Sequence, residues 1–162
     1  MNGELPKRQH PRLKEYDYSK SGAYFITICT QNRRCILSRV VGRGLGPAVV
    51  ELTPYGQIAE QELRVLSQRY PSVHIDVYAI MPNHIHVLLR IENEAAGASP
   101  RPTVSDVVCA YKSLVTRKCG IGKLFQTSFY DHVIRNQGDY NDIYRYIENN
   151  PTQWEQDELY TQ

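Results

Sequence analysis

Apolar positions along this chain recur with two periods, near 2 and near 3.6 residues, and so divide it into short strands and three helices. Ala23 to Thr30 (AYFITICT) is rich in aromatic and β-branched residues and predicts a strand. Shorter β-like pieces follow around Cys35 to Val41 and Ala48 to Leu52, split by Gly42 to Pro47. That glycine segment reads GxGxG, lacks the spacing of a phosphate loop and opens into β-like residues, so it predicts a hairpin connection. From Tyr55 to Tyr70, Ile58, Ala59, Leu63 and Leu66 recur at helical spacing, with Thr53 as N-cap and Pro71 past the end. Val73 to Ile80 and His84 to Ile91 are β-rich runs joined by Met81, Pro82 and Asn83, a link short enough for an antiparallel hairpin. Glu92 to Pro102 predicts a flexible loop, and Thr103 to Lys118 a second helix with Val107, Val108, Tyr111, Leu114 and Val115 inward. Phe129 to Asn136 predicts a last strand, and Asp139 to Asn150 a third helix stopped by Pro151.

This order predicts an α+β fold, a ferredoxin-like sandwich with an antiparallel sheet, helices on one face and a C-terminal helix that carries Tyr146. A length of 162 residues with 41% hydrophobic positions suits one domain with a real core. Charged residues at 22% and a net charge of +2 argue against wholesale disorder and allow a modest patch facing a polyanion. Residues 1–15 form a basic lead-in, and residues 155–162 an acidic tail with Glu155, Asp157 and Glu158, expected to fray. The N-terminus has no apolar leader and no 18-residue apolar run occurs, so a soluble, cytoplasmic protein without a membrane partner is expected. Cys29, Cys35, Cys109 and Cys119 match no zinc or redox spacing and are read as reduced packing residues. Tyrosine is in excess, 12 against three Phe and one Trp, and can serve packing, base stacking or nucleophilic attack.

Candidate chemistry begins with His84 and His86. Alternation along a strand points both imidazoles to one face, about 7 Å apart at the backbone, where they can converge on one ion or simply hydrogen-bond at a strand entrance. In the third helix Tyr140, Ile143, Tyr144 and Ile147 form the apolar stripe, and Tyr146 lies about 120° off its centre. Asn150 falls on the face of Tyr146 one turn later and Asp142 one turn earlier. Core packing therefore accounts poorly for Tyr146.

The stretch Tyr78 to Leu89 (YAIMPNHIHVLL), followed by Phe129 to Arg135 (FYDHVIR), Asp139-Tyr140 and Tyr146 to Pro151 (YIENNP), resembles the HUH single-strand DNA transposases with one catalytic tyrosine. Within them it is most similar to the REP-associated tyrosine transposases of the IS200-like family. The similarity runs from about Tyr16 to Trp154, with the motifs in the expected order. It implies a transposase, a metal-dependent single-stranded DNA endonuclease and strand transferase acting through a covalent 5′-phosphotyrosine on hairpin DNA. It implies Tyr146 on the C-terminal helix as the nucleophile and His84, His86 and Asn150 as ligands of Mg²⁺ or Mn²⁺. A monomer or a homodimer is consistent with the family.

Lys112, Arg117 and Lys118, Arg135 with Asn136, and Arg12 in the lead-in are candidates for DNA contacts. Asn83 either braces the histidines or closes the turn, with the turn favoured. Asp131 and His132 either support the site or fix their strand. Two other readings stand beside the transposase: a non-catalytic single-stranded RNA or DNA binding module, and a metal phosphoesterase that uses water in place of Tyr146.

Overall fold

The computed structural model describes residues 22–42, 46–92 and 102–162. Arg12, the rest of the lead-in and the expected loop at 93–101 lie outside the described residues. Among the described residues six strands and four α-helices follow one another: β1 (Gly22–Cys29), β2 (Ser38–Val41), β3 (Val49–Leu52), α1 (Pro54–Arg64), α2 (Leu66–Arg69), β4 (Val73–Ile80), β5 (His84–Ile91), α3 (Val104–Cys119), β6 (Tyr130–Val133) and α4 (Gln137–Asn149). The main sheet has the order β4-β5-β1-β6, with every neighbouring pair antiparallel. This is the expected ferredoxin-like α+β sandwich. The β2–β3 pair forms a separate antiparallel ribbon in register Val41↔Val49, and residues 43–45 of the expected hairpin connection lie outside the described residues.

One face of the sheet carries Tyr24, Ile26 and Ile28 from β1 and Ile85, Val87, Leu89 and Ile91 from β5, packed against Leu63, Val107, Val108, Tyr111 and Val115 of α1 and α3. Each such side chain contributes about 1.5–3 kcal/mol when fully buried. A slip of one residue would turn this whole set over, so the apolar face fixes the register and with it the direction of His84 and His86. The opposite face carries Phe25, Ala79 and Leu88, and there α4 lays down Ile143 and Ile147. The C-terminal helix therefore lies across the sheet from α1 and α3.

Capping follows the sequence closely. Thr53 accepts from Gly56 N at 3.2 Å, and Thr103 with Asp106 closes a reciprocal capping box at α3. Gly56 has a packing reason to be glycine, because a Cβ there would sit 2.0 Å from the Leu37 carbonyl oxygen. The Tyr55–Tyr70 helix is broken: Val65 at φ −95°, ψ −1° ends α1 and a single turn, α2, follows. The last strand is shorter than expected, because Asn136 leaves it to accept from Asp139 N at 2.9 Å as N-cap of α4.

Two further expectations are corrected. The acidic tail is docked: Trp154 and Leu159 are buried, and Asn83 Nδ2 donates to Leu159 O at 2.7 Å. Apolar Trp154 and Leu159 at the margins of the acids are what anchor it. Of the four cysteines only Cys29 is buried; Cys35 and Cys109 are exposed, so they are not packing residues.

Candidate active site

β5 presents His84 and His86 on the face that α4 covers, opposite Cys29 and Thr27 of β1. Both are buried, with ring centroids 4.4 Å apart and ring planes at 64°. Each ring is held by its Nδ1. His84 Nδ1 lies 2.8 Å from Asn83 Oδ1, and His86 Nδ1 lies 2.9 Å from Thr27 Oγ1. Such outer hydrogen bonds fix ring orientation and direct Nε2 toward a ligand. Asn83 thus braces the pair, contrary to the favoured reading, while its backbone carbonyl also serves the turn by accepting from Thr30 N at 2.9 Å.

α4 brings Tyr146 into this group. Its ring lies 5.4 Å from that of His86 and meets Phe25 edge-on at 6.0 Å. The phenol is half-buried against the second apolar cluster, off the Ile143/Ile147 stripe. Asn150, one turn on, is buried. Its Nδ2 donates to Asp157 Oδ2 at 2.8 Å, and its Oδ1 is buried without a hydrogen-bond partner among the described residues. A buried amide oxygen so left costs free energy unless something else binds it.

Asp157 is the member that sequence reasoning missed. Its Oδ2 lies 3.7 Å from His84 Nε2, and potential ligand atoms of His84, His86 and Asp157 all fall within 4.8 Å of one another. The sequence placed it in a tail of unrecognised pattern, and its one signal was the neighbouring apolar anchors. Two imidazoles with amide and carboxylate oxygens fit a divalent cation of borderline hardness such as Mn²⁺, or Mg²⁺ with further oxygens from a phosphate. The orphaned Asn150 Oδ1 is the observation that makes this set of residues fit an ion.

No family model matches the sequence. The chain is 32% identical over 178 residues to an uncharacterized protein of Haemophilus influenzae, covering 98% of this chain and 96% of that one. It is 25% identical over 134 residues to the REP-associated tyrosine transposase of Escherichia coli, covering 83% of this chain and 68% of the relative. Among solved structures, a REP-associated tyrosine transposase bound to a REP hairpin superposes with a TM-score of 0.64 at 25% identity, over 87% of this chain and 74% of that one. In sequence and in fold the chain resembles the REP-associated tyrosine transposases and fits the IS200-like family. A second structure, from Deinococcus radiodurans, has a TM-score of 0.50 at 19% identity over 85% of this chain and 95% of that one, and shows the shared fold alone. These likenesses support a transposase, an enzyme that acts on DNA. No helix among its described residues is long and apolar enough to cross a membrane.

The basic residues expected at DNA are not all idle in this transposase. Lys112 Nζ donates to the carbonyls of Gln126 at 2.6 Å and Thr127 at 2.9 Å, and burial lowers its pKa. Lys118 pairs with the buried Glu62, which Arg69 also meets at 2.9 Å. Asn136 caps α4. Arg117 lines an open groove with Lys112, Lys123 and Thr127, and Gln126 of the same groove donates from its backbone N–H to Cys29 O, at the end of β1, at 2.9 Å. Arg135 is exposed at the entrance to α4, where its backbone N–H donates to Asp139 at 3.2 Å. His132 Nε2, 2.8 Å from Asp139 Oδ2, ties β6 to the same turn.

Proposed function

We propose that this transposase is a metal-dependent single-stranded DNA endonuclease and strand transferase that works on hairpin DNA through Tyr146. The observation that carries the reading is the meeting of Tyr146 with His86 in one chain, beside a buried amide oxygen of Asn150. His84, His86 and Asn150 would hold the Mg²⁺ or Mn²⁺, with Asp157 close by. When bound, the ion supplies charge neutralisation at the scissile phosphate, worth several kcal/mol in the transition state.

An ordinary phenol is ionised in only about one molecule in a thousand at neutral pH, so the attack needs that electrostatic help. Tyr146 Oη attacks phosphorus in line, the bond from phosphorus to the 3′-oxygen breaks, and the phenolic proton leaves to solvent. The products are a 5′-phosphotyrosine on Tyr146 and a free 3′-hydroxyl once the departing oxygen takes up a proton. Attack by another 3′-hydroxyl reverses the step and joins strands, and covalent capture conserves the bond energy without a nucleotide cofactor. Phe25, against the Tyr146 ring edge, limits where the phenol can swing.

The test is incubation of the full chain with end-labelled single-stranded hairpin DNA and Mg²⁺ or Mn²⁺, followed by a denaturing gel. A covalent protein–DNA band that vanishes in Tyr146→Phe supports the reading. Cleavage that survives in Tyr146→Phe overturns it in favour of water as nucleophile, and binding without any cleavage in the wild type overturns it in favour of a binding module.

A further inference from the structure

Two amide side chains flank the histidines, and the C-terminal segment grips one end of each. Asn83 Nδ2 donates to Leu159 O at 2.7 Å and to Thr161 Oγ1 at 3.3 Å. A backbone carbonyl only accepts, so the amino end of Asn83 must face it. The oxygen end is thereby turned to His84 Nδ1, at 2.8 Å, and that nitrogen must carry the hydrogen. In the neutral ring the lone pair is then on His84 Nε2, on the side of Asp157 Oδ2 at 3.7 Å. Asn150 obeys the same logic. A carboxylate oxygen of Asp157 accepts from its Nδ2, so the buried Asn150 Oδ1 is the end left for a ligand.

Each oxygen of Asp157 already accepts a hydrogen bond that fixes its direction, Oδ2 from Asn150 Nδ2 at 2.8 Å and Oδ1 from Leu159 N at 2.7 Å. Its side chain is only 1% exposed. A group so engaged is better placed to orient a ligand than to be one. We propose that the C-terminal segment, through Asp157 and the Leu159 carbonyl, sets the amides of Asn150 and Asn83 and so presents Asn150 Oδ1 and His84 Nε2 to the divalent cation. Asp157, Asn83 and Leu159 are positioning residues in this account, which rests on the metal-binding reading of the site.

The tests use the metal alone. Mn²⁺ binding to the metal-free full chain is measured from the free-ion paramagnetic resonance signal, with thermal melting of each variant as a folding control. Asp157→Asn leaves one acceptor and one donor facing two donors, Leu159 N–H and the Asn150 amino group, so Asn150 must turn over. The expected loss is about 10–100-fold in Mn²⁺ affinity. The reciprocal pair Asp157→Asn with Asn150→Asp satisfies every group again: the new amide accepts from Leu159 N and donates to the new carboxylate, whose second oxygen is left for the ion. Affinity is expected to return to within several-fold of wild type. Unchanged affinity in Asp157→Asn overturns the inference. So does a loss that the reciprocal pair fails to repair, which would make the carboxylate at 157 itself a ligand. Wild type that binds no Mn²⁺ overturns the metal reading as well. Independently of any variant, the ¹⁵N spectrum of metal-free wild type at about pH 8.5, above the ordinary imidazole range, should show His84 with its hydrogen on Nδ1. A hydrogen on Nε2 overturns the inference.

Discussion

The ring of Tyr146 lies 5.4 Å from that of His86, and both belong to one polypeptide. A site composed in this way needs no helix from a neighbouring subunit. Mixing Tyr146→Phe with His86→Ala should therefore yield no covalent DNA product, whereas a site shared between subunits would recover activity in mixed dimers. The measurement is the denaturing-gel assay on an equimolar, co-refolded mixture.

Thr27→Val keeps the β-branched shape but removes the hydroxyl that holds His86 Nδ1. Loss of one buried hydrogen-bond partner costs about 1–3 kcal/mol, and loss of an outer support to a metal ligand about tenfold or more in affinity. Mn²⁺ titration should show the weakening while circular dichroism stays that of wild type.

Gly56→Ala places a methyl group 2.0 Å from the Leu37 carbonyl oxygen, which belongs to backbone and cannot rotate aside. Overpacking of this kind costs about 1–3 kcal/mol. A fall in Tm of about 2–4 °C per kcal/mol is expected in a chain of this size, read by calorimetry.

Tyr140 donates to Asp76 Oδ2 at 2.6 Å and so pins α4 to β4. Burial, then the hydrogen bond to Asp76 and its negative charge, push the Tyr140 phenol up to about 12. A folded-state value above the unfolded one means that its stabilisation is complete below about pH 10 and is lost as pH rises through about 12. Ultraviolet titration of wild type minus Tyr140→Phe should isolate one phenol ionising near pH 12, and the variant should lose less stability across that interval.

Arg117→Ala removes a guanidinium from the groove that borders the histidine end of the sheet. If a phosphate of the bound strand lies there, the slope of log affinity against log salt should fall by about 0.7. Filter binding at several salt concentrations measures it, and an unchanged slope removes Arg117 from the DNA contacts.

Period and capping made most elements visible in the sequence. The two-residue spacing of His84 and His86 fixed their common side, and the Ile143/Ile147 stripe fixed the buried side of α4. Which face of the sheet α4 would cover was not written in its own periodicity, because either apolar face satisfies the same stripe. Asp157 and the bracing role of Asn83 depend on contacts between residues more than 70 positions apart, and local pattern carries no sign of these. The break at Val65 was hidden for a different reason: Leu66 still falls in helical register with Leu63, so the pattern continues through a backbone that does not.

With α1 and α3 against one side of the main sheet and α4 against the other, the described strands form an interior wall packed by helices on both sides. On the proposed function, a nucleic acid strand bound at the histidines would approach from the rim of that wall. Discrimination among sequences would then fall to the loops that border that passage, with the sheet as its supporting frame.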